Sequence, residues 1–150
     1  MLHALVSTLR DELAVTEMFI SAFYAVIDPS ACEMHYSNTG HPHAFLLARD
    51  RDFERLAASD PPLGMDERRP LTARRPWNAK EDLLVLFTDG VSDARNRAGE
   101  RFGEERILET IRANRDAPPA DILGRVFSVL DAHTQGAPLR DDLTIVLARS

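Results

Sequence analysis

Acidic residues stand directly beside strongly apolar segments at two places in the chain. Asp89 follows the apolar run Leu83–Phe87, and Asp141 lies just before the run 143–148. A buried strand can hold a carboxylate in a fixed position, and carboxylate oxygens are the ligands that Mg²⁺ and Mn²⁺ prefer. Turn chemistry is the alternative interpretation, because Asp followed by Gly90 is a common way to end a strand.

The relative placement of the two runs decides between these interpretations. If the runs are antiparallel neighbours in one sheet, the end of the first lies beside the start of the second, so that Asp89 meets Asp141 or Asp142 at one sheet edge. Carboxylates this close repel and raise each other's pKa unless a cation lies between them. The sequence therefore predicts a metal site if the strands pair, and two unrelated solvated turns if they do not.

The elements that would position these residues form a mixed α and β pattern without repeats. Apolar periodicity, together with Pro118 and Pro119 at a helix start, predicts helices over 2–13, 103–115 and 119–134. β-branched and aromatic runs predict strands over 18–28, 33–38, 43–49, 83–87 and 141–149, with weaker strand signals around 53–56 and 71–75. Strands 83–87 and 141–149 read as buried, because their apolar residues are continuous.

Composition excludes several functional classes. A chain of 150 residues is long enough for one domain with its own core, and its single cysteine, Cys32, excludes an internal disulfide. The formal net charge of −6 argues against a general nucleic-acid binder. No run approaches the roughly 20 apolar residues needed to cross a bilayer, and the N-terminus has no basic leader. We therefore expect a cytoplasmic protein that binds neither nucleic acid nor membrane.

Four segments of the chain together resemble a known family. In order and spacing they are similar to the C-terminal two thirds of a metal-dependent PPM (protein phosphatase 2C-like) serine/threonine phosphatase, in its bacterial SpoIIE/RsbU-type branch. The segments are "YSNTGHPHAFLL" (36–47), "PPLGM" (61–65), "FTDGVSDARNRAGERFGEERI" (87–107) and "RDDLTIVLAR" (140–149). The resemblance implies an α+β fold, an α-β-β-α sandwich of two antiparallel sheets flanked by helices, with residues 1–150 forming a single, N-terminally incomplete domain.

The resemblance also implies a reaction and a set of site residues. The family uses two Mn²⁺ or Mg²⁺ ions to activate a water that hydrolyses phosphoserine or phosphothreonine on a regulatory protein, for example an anti-sigma-factor antagonist. The family's metal-binding aspartates fall on Asp89 and Asp141. Supporting roles are considered for four neighbours or motif residues: Gly90, Asp93, Asp142 and His41. No protein nucleophile is needed, which agrees with a lone Cys32 that has no basic neighbour in the sequence.

One family motif has no counterpart in the chain. PPM phosphatases carry an upstream strand with an Asp-Gly type motif, similar to "DVSGHG" in this branch, whose Asp helps to bridge both metals. The alternative hypothesis is therefore a non-catalytic relic or protein-binding module with the same fold. Without that strand we expect weak metal binding, lower stability, and self-association through the incomplete sheet, where Phe19, Phe23 and Val26 would be exposed.

Overall fold

The computed structural model describes residues 8–9, 13, 15–16, 18–49, 52–65 and 70–150. Within these ranges the strands are β1 (Ala22–Asp28), β2 (Glu33–Thr39), β3 (Ala44–Leu47), β4 (Glu54–Arg55), β5 (Ala73–Pro76), β6 (Leu83–Phe87) and β7 (Ile145–Ala148). The helices are α1 (Asp89–Ser92), α2 (Glu104–Ala113) and α3 (Pro119–Thr134). The chain is therefore α+β, as the family resemblance implies.

One sheet has three strands in the order β1-β2-β5, and both of its pairings are antiparallel. Asp28 closes the turn between β1 and β2, because its Oδ1 accepts hydrogen bonds from the Ser30 hydroxyl at 2.6 Å and from the Ala31 amide at 3.0 Å. These bonds favour the charged carboxylate and lower the pKa of Asp28, with the Ser30 hydroxyl as the largest cause. Cys32 lies exposed in the same turn.

The other sheet has four strands in the order β4-β3-β6-β7. Strands β6 and β7 are antiparallel neighbours, in a register that runs from Leu84 opposite Ala148 to Phe87 opposite Ile145. The antiparallel pairing on which the metal-site interpretation depends is therefore present. It places the C-terminal end of β6 beside the N-terminal end of β7.

The helices α2 and α3 supply much of the core that supports β6. Both are amphipathic, and their buried residues recur at intervals of four positions, the spacing of one helix face. Strand β6 is buried over most of its length. The fully buried members of this core include Leu83, Val85, Ile107, Ile111, Ile122 and Val126.

The contacts divide the chain into two compact units. The first contains the described residues up to Ala44, then 56–79 and Ser150, and the second contains 45–55 and 80–149. The three-stranded sheet belongs to the first unit. Strands β6 and β7 and the helices α1, α2 and α3 belong to the second.

Two predictions need correction or fall outside the structure. Strand β7 is shorter than predicted and is not buried on both faces, because Val146 is 46% exposed. The helix predicted over 2–13 lies largely outside the described residues, although Leu9 and Leu13 are described and helical.

None of the helices in the described ranges is long and apolar enough to cross a membrane. Phe19 and Val26 are exposed as predicted, whereas Phe23 is only half-buried because its ring stacks on Tyr36 at 5.5 Å between centroids. Self-association stays a prediction.

Candidate active site

Thr88 joins the two acidic segments at the end of the β6–β7 pair. Its amide donates a hydrogen bond to the Thr144 carbonyl at 3.0 Å, which extends the ladder by one residue. Its hydroxyl donates to the Asp142 carbonyl at 3.1 Å and accepts from the Thr144 amide at 3.2 Å. Thr88 therefore fixes the main chain that precedes β7 against the end of β6.

Gly90 lets the segment 141–142 approach α1 closely. A Cβ atom at this position would lie 2.3 Å from the Asp142 carbonyl oxygen and 3.3 Å from the Asp141 Cβ. The first distance is far below van der Waals contact, and the obstructing atom is backbone, which cannot rotate away. Glycine is therefore required here by lack of space, and this packing brings Asp141 next to the start of α1.

Asp89 and Asp141 line one open cavity of about 210 Å³. Its lining contains three carboxylates and two guanidinium groups, together with small and apolar residues. The lining residues are Asp89, Gly90, Asp93, Ala94, Arg95, Pro138, Arg140 and Asp141. Such a cavity offers oxygen ligands to a cation and positive charge to an anionic substrate group.

The three carboxylates differ in what already holds them. Asp93 forms an ion pair with Arg101 at 3.2 Å, and both side chains are about half exposed. Asp141 Oδ1 accepts a hydrogen bond from the Asp142 amide at 2.8 Å, which leaves further lone pairs on that carboxylate. Asp89 is the first residue of α1, and within the described residues its carboxylate forms neither a hydrogen bond nor an ion pair. Asp89 and Asp141 are thus better placed to bind a cation than Asp93.

The donor set of the cavity fits a hard divalent cation. It consists of carboxylate oxygens, with no histidine or cysteine among the lining residues, which suits Mg²⁺ or Mn²⁺ and does not suit zinc. Among the described residues, no three acidic, histidine or cysteine side chains form a group that could hold a metal. Mg²⁺ is commonly bound through one or two carboxylates, with water and substrate phosphate as the other ligands. The residues present therefore fit an open, partly hydrated ion.

The other predicted site residues have different positions. Asp142 does not belong to the cavity lining, and it contributes its main-chain carbonyl and amide to the contacts above. His41 lies in the first unit, in a turn that two hydrogen bonds with Asn38 stabilise. The His41 amide donates to Asn38 Oδ1 at 2.8 Å, and Asn38 Nδ2 donates to the His41 carbonyl at 2.9 Å.

Sequence reasoning missed two residues of this site. The apolar run that predicts β6 ends at Phe87 and gives no role to Thr88, whose hydroxyl bonds to the main chain of Asp142 and Thr144 in the segment before β7. Arg140 directly precedes Asp141 and lines the cavity. A basic residue next to a candidate metal ligand was the available signal.

The model of one protein family matches the whole chain. The match covers residues 1–150, and the family is described as stage II sporulation protein E (SpoIIE). The chain belongs to the SpoIIE family. This finding confirms the predicted relationship to SpoIIE/RsbU-type PPM phosphatases.

Two curated proteins illustrate how this SpoIIE-family chain compares with its relatives. Protein IcfG from Synechocystis sp. is 34% identical over 129 residues, which cover 86% of this chain and 20% of IcfG. The phosphoserine phosphatase RsbU from Bacillus subtilis is 27% identical over 135 residues, which cover 88% of this chain and 39% of RsbU. The chain thus spans well under half the length of these relatives.

Solved structures share the fold of this SpoIIE-family chain. The SiaA-PP2C domain of Pseudomonas aeruginosa matches with a TM-score of 0.81 at 18% identity, over 97% of this chain and 57% of that one. The manganese-presoaked phosphatase domain of SpoIIE from Bacillus subtilis matches with a TM-score of 0.66 at 16% identity, over 95% of this chain and 62% of that one. This likeness confirms the predicted fold class of two antiparallel sheets with helices.

Proposed function

We propose that this chain is the C-terminal part of a metal-dependent phosphatase domain that hydrolyses phosphoserine or phosphothreonine on a regulatory protein. The observation that carries the proposal is the cavity at the end of the β6–β7 pair, where Asp89 and Asp141 come together. Membership of the SpoIIE family and the phosphoserine phosphatase RsbU among the relatives support this reaction. An anti-sigma-factor antagonist is the kind of substrate we infer, with the cytoplasm as the place of action.

The residues of the cavity divide into two roles. Asp89 and Asp141 hold a Mn²⁺ or Mg²⁺ ion, and Gly90 and Thr88 keep the two carboxylates at one place. The bound ion supplies activation of water and neutralisation of phosphoryl charge. Arg95 and Arg140 supply fixed positive charge to the phosphate group of the substrate, a role for which the guanidinium fork is suited.

Turnover with and without the candidate ligands tests the proposal. The 150-residue chain is assayed with Mn²⁺ on p-nitrophenyl phosphate and on a phosphoserine peptide. We expect Mn²⁺-dependent hydrolysis, and a loss of about 100-fold or more in Asp89→Asn and in Asp141→Asn, because each change removes the charge of a metal ligand. Asp131→Asn changes an exposed carboxylate on α3 and serves as the matched control, which should keep full activity.

A non-catalytic binding module is the second candidate. The observation in its favour is that no group of three ligands occurs among the described residues, so the chain offers fewer carboxylates than a closed metal site needs. A module of this kind would bind the phosphoserine peptide in the presence of Mn²⁺ and release no phosphate. Well-folded chain that shows no Mn²⁺-dependent turnover would exclude catalysis by these residues alone and favour the binding module.

A further inference from the structure

A second charged cavity lies at the opposite end of the β6–β7 pair, within the same unit. It has a volume of about 140 Å³ and is lined by four basic and two acidic side chains: Arg49, Lys80, Glu81, Arg115, Asp116 and Arg149. Lys80 and Glu81 precede β6 and Arg149 follows β7, so antiparallel pairing brings them to one end. A five-residue strand spans roughly 17 Å, so one small ligand cannot occupy both cavities.

Two arginines of this cavity are held in place without losing their charge. Arg115 donates hydrogen bonds to the carbonyls of Ala48 at 3.0 Å, Arg49 at 2.8 Å and Glu81 at 2.9 Å. Arg149 donates to the Ala117 carbonyl at 3.1 Å and to the Arg115 carbonyl. All these acceptors are neutral, so the hydrogen bonds fix the guanidinium groups and leave their positive charge uncompensated.

The acidic residues of the lining compensate only part of the positive charge. Glu81 pairs with Arg49. Within the described ranges, neither Arg115 nor Arg149 forms an ion pair with a carboxylate, and the buried Nε of Arg149 has no hydrogen-bond partner. Lys80, the single lysine of the chain, adds an exposed ammonium group from a left-handed turn residue with φ 67°. The lining therefore carries a formal net charge of +2.

We propose that this basic cavity, formed by the residues that flank the other end of the β6–β7 pair, binds a phosphate-class oxyanion. Such an anion has several acceptor oxygens for the fixed arginines and enough charge to offset the mutual repulsion of four cations. The oxyanion is either free inorganic phosphate or a phosphoryl group carried on a protein. The site is separate from the Asp89–Asp141 cavity, and it does not depend on the proposed hydrolysis.

Thermal unfolding of the intact chain in EDTA tests this site by itself. Without divalent ions the lining of the Asp89–Asp141 cavity has a formal net charge of −1, so it attracts phosphate less than the basic cavity does. We expect inorganic phosphate, at about ten times its Kd, to raise Tm by roughly 4–5 °C more than sodium chloride of equal ionic strength. No phosphate-specific shift, either for the inorganic ion or for a phosphoserine peptide against its unphosphorylated form, would overturn the proposal.

Variants that change the charge of the cavity in opposite directions distinguish a specific binding site from a general effect of charge. Lys80→Gln removes a cation that the fold does not use and should at least halve the shift, whereas Asp116→Asn removes an opposing carboxylate and should enlarge it. Arg97→Gln and Asp131→Asn make the same charge changes at exposed positions outside the lining and should leave the shift as it is. Equal shifts in all five proteins would mean an adventitious ion only.

A comparison of a phosphoserine peptide with inorganic phosphate identifies the source of the oxyanion. A phosphoserine peptide that shifts Tm at lower concentration than inorganic phosphate, with sensitivity to Lys80→Gln, assigns the site to a phosphorylated protein. Equal potency of the peptide and the inorganic ion, with the same sensitivity, assigns it to free phosphate. Both results support the site, and hydrolysis is not needed for either.

Discussion

The two ends of the β6–β7 pair carry opposite charge. At one end Asp89, Asp93 and Asp141 line a cavity, and at the other Arg49, Lys80, Arg115 and Arg149 line a second one. Both cavities are built on the same two strands, whose antiparallel register brings distant parts of the sequence together at each end. The difference therefore lies in the residues that flank the strands and in how they are fixed.

The acidic end is positioned by close backbone packing, and the basic end by long side chains. Gly90 and the Thr88 hydroxyl bring main chain against main chain, so that short aspartates converge. Arg115 and Arg149 instead reach across the fold to neutral carbonyls. Substitutions at Gly90 or Thr88 should therefore move backbone, whereas Lys80 at the basic end can change with little structural cost.

Metal binding should give the largest contrast between the two ends. If Asp89 and Asp141 hold one ion, Mn²⁺ at about 100 times its Kd should stabilise the chain by about 2.7 kcal/mol, because a ligand that binds only the native state shifts unfolding by mass action. Either Asp89→Asn or Asp141→Asn should remove most of this stabilisation. Differential scanning fluorimetry with and without Mn²⁺ measures it.

Lys80→Gln is the control from the basic end for that experiment, since it should leave the Mn²⁺ shift unchanged. Asp93→Asn should retain much of the shift, because Arg101 already pairs with that carboxylate. A shift that disappears in Asp89→Asn and survives intact in Asp141→Asn would show that the two carboxylates do not share an ion.

Replacing Gly90 should disrupt the acidic cavity by displacing the backbone of the segment 141–142. The Cβ of Gly90→Ala would meet the Asp142 carbonyl oxygen at 2.3 Å, so the segment 141–142 must move, at a cost of about 2 kcal/mol in the free energy of unfolding. The variant should also lose Mn²⁺ stabilisation, although no ligand has changed. Urea denaturation with and without Mn²⁺ measures both effects.

Gly124→Ala is the matched control for Gly90→Ala. Gly124 lies within α3, and nothing stands within 4 Å of the position that a Cβ would take. Alanine is the better helix former, so this variant should gain up to about 1 kcal/mol. A Gly90→Ala protein as stable as Gly124→Ala would contradict the close approach at Gly90.

The sequence was sufficient for features that depend on local pattern. The apolar run Leu83–Phe87 is a buried strand, and periodic apolar residues mark α2 and α3 close to their observed bounds. The juxtaposition of Asp89 with Asp141 required only that two apolar runs be antiparallel neighbours, which β6 and β7 are. Charge next to a buried strand was therefore an informative signal.

Features that depend on long-range contacts could not be predicted in this way. The space that requires glycine at Gly90 is set by a carbonyl 52 positions away in the chain, at Asp142. The basic cavity collects arginines that are scattered through the sequence, and each by itself resembles a solvated surface residue. The exposure of Val146 likewise depends on what covers that face of β7, which periodicity does not record.

Thr88 should give the smallest effect and the most specific one. Thr88→Val keeps shape and strand preference but removes the hydroxyl that donates to the Asp142 carbonyl and accepts from the Thr144 amide, so it should cost about 1 kcal/mol in the free energy of unfolding. Thr88→Ser retains the hydroxyl and should lie closer to the parent chain. Because the lost bonds hold the segment beside Asp141, Thr88→Val should weaken Mn²⁺ binding and leave phosphate stabilisation at the basic end unchanged. Equal losses at both ends would mean that Thr88 acts through overall stability and not by positioning the acidic segment.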